Sequence, residues 1–190
     1  MTPETIISIF LGIGLAASVG FRVFLPLFAL SLASYFNIWE LNDSWQWIGS
    51  IASVIALGVA TLAEIFAYFI PWVDNLLDSV AIPLAAIAGT AVMVSTVANL
   101  DPVITWSLAI IAGGGTATAI KGAGATGRLA STATTGGLAN PLVATVETGT
   151  AVVVATASIF APILAVIMVF IIMVVIFWVY KKLRPKKSNL

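Results

Sequence analysis

Residues 121–147 read KGAGATGRLASTATTGGLANPLVATVE. Lys121, Arg128, Asn140 and Glu147 stand there among glycines, alanines and threonines, between apolar runs long enough to cross a bilayer. In water the stretch would be an ordinary loop. Between membrane spans, lone charges and unpaired backbone groups are expensive, so it becomes the candidate functional site. Its flanks set the fold class: an all-α membrane protein.

The composition agrees. Of 190 residues, 61% are apolar and 8% charged, with mean hydropathy +1.12, whereas a soluble domain carries about 25% charged residues. At about 20 residues per span there is room for about six crossings, some kinked or broken, in one domain over 1–190. Eight basic residues balance eight acidic ones, but Lys181, Lys182, Arg184, Lys186 and Lys187 lie in the last ten positions. A cationic tail just past a span is a topology signal, not a nucleic-acid surface, and makes residues 181–190 a cytoplasmic tail. Cysteine and histidine are absent. That removes thiol chemistry, imidazole acid–base work and the usual metal ligands, so neither an enzyme nor a cofactor or metal site is expected. The start, MTPETIISIF, lacks the basic region of a secretory signal and reads as retained.

Taken outward from the site, the run from Thr5 to Phe36 is too long for one untilted crossing. Pro26 lacks an N–H and clashes with the carbonyl of Arg22, so a kink or break is expected beside the run's one charge. Arg22 either snorkels and pairs structurally or lines a polar cavity. Trp39, Trp45 and Trp47 around Glu40 and Asp43 read as an outward interfacial loop. The span over about 48–70 is apolar except for Glu64 and leads into PWVDNLLD, beginning at Pro71. Asp74 and Asp78 share a helix face there, and they are either solvated at a loop or meet a cation or proton. A span over about 79–98 contains Pro83. Asp101 and Pro102 form an outward turn, and the next span loosens into GGGTATAIKGAGATGR, where each glycine costs a helix about 1 kcal/mol relative to alanine. Unwinding is expected there. Residues 138–180 hold two crossings with a turn at Ala157 to Pro162. Six spans place both termini in the cytoplasm of a cell such as a bacterium, in its inner membrane, with Lys121 and Arg128 on that side and Glu40, Asp43 and Asp101 outside.

Two motifs recur in order. Val59 to Glu64 (VATLAE) resembles Val143 to Glu147 (VATVE), and Ser79 to Pro83 resembles Ser158 to Pro162. Halves of about 1–100 and 101–180 with three spans each would be oppositely oriented, the 3+3 inverted repeat of many transporters. Gly122, Gly124 and Gly127 spell G-x-G-x-x-G, but no strand precedes them and no soluble βαβ unit surrounds them. The half-match to a P-loop has Arg128 and Leu129 where Lys and Ser/Thr are needed.

GFRVFLPLFALSLASYF (20–36), EIFAYFIPWVDNLLDSVAIP (64–83) and the 121–147 stretch together resemble the family of integral membrane proteins called domain of unknown function 4126, found in bacteria and plant plastids. The resemblance implies that Arg22, Pro26, Glu64, Pro71, Asp74, Asp78, Pro83, Lys121, Arg128, Asn140 and Glu147 belong to the family pattern. Ala67 and Tyr68 depart from it, standing where a charged pair is common. TATTGGLANP departs as well, being poorer in Ser, Pro and Glu. The family supplies no activity, so function comes from the site.

Three cations and four carboxylates in or near the bilayer point to a mutually compensating network, since isolated charges at depth cost about 3 kcal/mol. The first expectation is a small transporter or channel-like permease for an ion or a small polar or anionic solute. Glu64 and Glu147 would couple to a proton or Na⁺, Arg22, Lys121 and Arg128 would hold the anion or act as counter-ions, and Asn140 would be a polar ligand. Pro26, Pro71, Pro83 and Pro162 would mark the bends. A lipid scramblase or polyprenyl-phosphate flippase is the alternative and needs a groove open to lipid. A non-transporting scaffold held by buried ion pairs is the third. Membrane lipids are the expected surroundings, a homodimer the expected assembly, and nucleic acid is not an expected partner.

Overall fold

The computed structural model describes residues 2–98 and 100–183, without the side chains of Pro71, Trp72, Asp74, Asn75, Ser79 and Leu183. The described residues are helical, with no strand. α1 (Pro3–Phe21) and α2 (Phe24–Tyr35) are followed by a 3₁₀ turn at Asp43–Gly49 and by α3 (Ile51–Ala67). α4 (Pro71–Thr96) comes next, then α5 (Pro102–Leu108), a π-helical turn at Ala109–Gly114 and α6 (Gly115–Thr135), and finally α7 (Asn140–Phe160) and α8 (Pro162–Leu183). Four helices are long and apolar enough to span a membrane, and the bent pair Asp43–Gly49 and Ile51–Ala67 makes a fifth. The protein is an integral membrane protein; two further apolar helices among the described residues are shorter, α2 with 12 residues and the Val80–Thr96 part of α4.

α1 is the axis of the bundle. Thr2 caps it by accepting the Thr5 N–H, and Pro3 sits where no donor is missed. It packs against α4, α6, α7 and α8; 61% of its spanning window is buried, against 11% for α8, which is left as the outer, lipid-facing helix. The expected break is present at Arg22 and Val23, but it is a reversal and not a kink. Gly12 lies beside Thr96 and Gly14 beside Ser158; after α2, the Trp39 indole donates to the Ile159 carbonyl and the Asn42 N–H to that of Ser95. α2 therefore returns to the level at which α1 began. Pro26 is the third residue of α2, in the turn whose N–H groups have no helical partner, so it opens the second arm without opposing it.

That reversal alters the topology. The beginning of α1 lies at the end of the bundle shared by the aromatic loop, the end of α4 and the start of α8. The far end of α8 is level with Phe21 and Gly127. The start of α1 and the far end of α8 therefore lie at opposite ends of the bundle. The loops bearing Trp39 and Asp101 do share an end, away from Lys121 and Arg128, as the charge pattern requires.

The glycine-rich stretch does not unwind. Residues 102–135 form one long helix, because packing outweighs propensity. A Cβ on Gly113 would lie 2.5 Å from the Gly89 carbonyl oxygen and one on Gly89 2.7 Å from that of Gly113, so two backbones touch where any side chain would part them. The helix ends at Gly136, whose φ of 63° provides the left-handed cap. Pro71 opens α4, Pro83 lies inside it, and Pro162 opens α8 after the break at Ala161. The two sequence matches occupy unequal places. Glu64 is in the last turn of α3 and Glu147 is two turns into α7, while Pro83 is interior and Pro162 is an N-terminus.

Candidate functional site

The hairpin tip is where the charges gather. α3 is mostly lipid-exposed, yet Thr61, Glu64 and Tyr68 are buried at a spacing of three and four, one polar stripe turned inward. Glu64 Oε1 accepts the Val23 N–H at 2.7 Å and Oε2 the Phe24 N–H at 3.0 Å, so a carboxylate caps the free N-terminus of α2. On the other arm, Lys121 Nζ donates to the Phe21 carbonyl at 3.0 Å. The reversal survives inside the bundle because charged side chains satisfy the backbone groups it frees.

Arg22 is fully buried. Its Nε donates to Thr148 Oγ1 at 2.9 Å and Nη2 to the Ala144 carbonyl at 2.8 Å. Nη1 has no hydrogen-bond acceptor and lies 3.6 Å from Glu147 Oε2. Arg128 Nη2 bonds the same Oε2, and its Nη1 is 3.8 Å from Asp78 Oδ1. Across the middle lies the Tyr68 ring. Arg22 Cζ is 4.0 Å from its centroid, Arg128 Cζ 4.3 Å and Lys121 Nζ 5.5 Å. The negative ring face separates three cations that would otherwise repel one another. The Tyr68 hydroxyl donates to Asp78 Oδ1 at 3.5 Å.

Arg22, Glu64, Asp78, Lys121, Arg128 and Glu147, five stretches of sequence, thus meet in one cluster. It lies about 10 Å inside the bundle end, since Arg128 and Glu147 are each seven residues from the ends of their helices at Thr135 and Asn140. Asp78 is its most open member, with 22% of its side chain exposed. The Asn140 amide donates to Thr132 Oγ1 at 3.2 Å and ties α6 to α7 across Gly136 and Gly137. The Asp74 side chain lies outside the described residues. Tyr68 went unrecognised as a site residue in the sequence, although its spacing from Thr61 and Glu64 was the available signal. Among the described residues no group of three metal-ligating side chains stands together.

Beside the cluster is an apolar cleft of about 650 Å³, lined by Gly122, Gly124 and Gly127 of α6 and by Ile172, Val175 and Ile176 of α8. At 100° per residue Gly122 and Gly127 are turned at least about 100° from Lys121 and Arg128 around α6, while Gly124 is only about 40° from Arg128, at the edge of the cleft toward the cations.

A family model described as Domain of unknown function (DUF4126) matches residues 9–182. No curated protein and no solved structure matches the chain.

Proposed function

The chain belongs to the DUF4126 family, whose description names no activity, and from that premise we propose that it is a small transporter that moves an anion through the Tyr68 cluster. The observation that carries this reading is the set of donors left around the ring. Arg22 Nη1 is buried without an acceptor, and Lys121 makes a single hydrogen bond among the described residues. An anion with two or more oxygens, or a halide, would complete them. It would enter past Asp78 and take that carboxylate's place beside Arg128. Of the described carboxylates, Asp78 is the one with both exposure and a long, replaceable ion pair.

A lipid phosphate is the less favoured cargo, because the lateral cleft faces away from Lys121 and Arg128. In this reading the end holding the basic tail is cytoplasmic, following the Lys/Arg excess, in a membrane such as the bacterial inner membrane. α2–α3–α4 and α6–α7–α8 run in opposite senses, the arrangement an inverted repeat of three and three requires. Each half would then hold three of these helices, with α1 threaded between the halves.

The test is flux of labelled phosphate, chloride and acetate into liposomes holding the full chain. Uptake of at least one of them should be lost in Arg22→Ala and in Arg128→Ala while both variants remain monodisperse. Undiminished uptake in both variants, or no uptake by the native chain, overturns the proposal.

A further inference from the structure

The two innermost carboxylates are held in different ways. Glu64 commits both oxygens to the backbone of Val23 and Phe24, so a proton there would cost α2 its cap. Glu147 Oε2 faces Arg22 and Arg128, but Oε1 has no hydrogen bond among the described residues. That oxygen points at Gly124, where an added Cβ would lie 2.8 Å from it and otherwise meet only the carboxyl carbon, at 3.9 Å. Gly124 is also part of the cleft wall, at the edge nearest the cations. The glycines alone would be a packing feature. With a carboxylate oxygen behind one of them, on a side chain 9% exposed, they form a window.

We propose that Glu147 is the coupling-proton site of the transporter, loaded from the cleft through the Gly124 gap. This rests on the anion-transport reading and names its second cargo. Among the described residues Arg22 at the end of α1 and Lys121 and Arg128 on α6 act on Glu147, and Glu64 and Tyr68 at the end of α3 and Asp78 on α4 adjoin those cations. An anion seated on Arg22 and Arg128 takes both cationic partners from Glu147. The carboxylate then accepts a proton on Oε1, and release of that proton restores the ion pairs and expels the anion. Each cargo strengthens the other's binding by the same factor. A univalent anion and its proton move together with no net charge.

Dicyclohexylcarbodiimide, which partitions into membranes and adds to protonated carboxyl groups, tests the site on the reconstituted full chain with peptide mass mapping. Glu147 should be modified, several-fold more in acidic than in alkaline medium, and Glu64 should not. Gly124→Leu should block the reaction. Because that side chain would press on Glu147, Gly127→Leu is the second variant; its Cβ meets nothing within 4 Å, and its side chain fills the cleft. An unmodified Glu147, or equal modification in Gly127→Leu, overturns the proposal. Anion flux that depends on Arg22, beside an unmodified Glu147, would remove the proton site and leave the transport reading. A modified Glu147 without flux would do the reverse.

Discussion

Glu64 Oε1 accepts the backbone N–H of Val23 at 2.7 Å, across forty-one positions of sequence, and that bond holds the start of α2 in place. With Phe24 on Oε2, the carboxylate satisfies two donors freed by the reversal, the Val23 N–H buried and the Phe24 N–H partly so. Glu64→Ala would leave both unpaired, at about 1–3 kcal/mol for the buried Val23 N–H and less for the partly buried Phe24 N–H. Glu64→Gln keeps one acceptor and turns an amide N–H against the second donor. The expected order of thermal stability in detergent is native, then Gln, then Ala, read as the monodisperse fraction surviving a heating series. An alanine variant as stable as the native chain would show that the hairpin is held by something else.

Arg22, Arg128 and Lys121 meet over one aromatic ring, and the ring matters more than its hydroxyl. Each cation–π contact contributes about 0.5–2 kcal/mol in such surroundings. Tyr68→Phe should therefore lose about 1 kcal/mol or less, since it gives up only the long bond to Asp78. Tyr68→Leu should lose about 2 kcal/mol or more, because three like charges then face one another without the ring. Denaturant titration in nanodiscs measures both. Equal losses would assign the role to the hydroxyl instead.

The break near Arg22 was legible because an apolar run from Thr5 to Phe36 with an arginine and a proline cannot continue as one helix. Its reversal was not. A proline that kinks a helix and one in the first turn of a new helix look alike in sequence, and what decides here is Glu64, forty residues away, reaching the freed N–H groups. The glycines of residues 113–127 invited an unwound reading because propensity is a property of an isolated helix. Gly89, which lets α4 and the long helix touch, lies well upstream. Six of the eight proposed site residues meet, since unpaired charges at depth must find partners. Tyr68 was passed over as a loss of charge, although an aromatic face is one of the few groups that accepts several cations at once.

Arg128 and Glu147 bond directly, and exchanging their charges tests a transport site against a scaffold. Charge reversal of either alone leaves like charges in contact and should abolish folded protein, the usual result of breaking a buried pair, at about 3–5 kcal/mol. The swap R128E/E147R restores an opposite pair and should recover much of the expression level. It also moves the carboxylate away from Arg22 and from the Gly124 gap, so anion flux should stay lost. Flux restored together with expression would mean that the pair only holds the fold.

Because the start of α1 and the end of α8 lie at opposite ends of the bundle, an odd number of crossings is expected between Thr2 and Lys182, and a labelling experiment can count it. The chain has no cysteine, so a single one can be introduced without background. Thr2→Cys stands at the cap of α1, and Lys182→Cys stands in the last turn of α8, where Lys182 lies over Trp178 at 5.1 Å. A maleimide that cannot cross membranes, added to intact cells, should label Thr2→Cys and spare Lys182→Cys until the membrane is opened. A second site at Asp101→Cys should follow Thr2→Cys, because the end of α4 meets Ser8 through the Ala98 N–H. Protection of both terminal cysteines in intact cells would restore six full crossings, and the charge cluster would then have to sit at the bend of one continuous span.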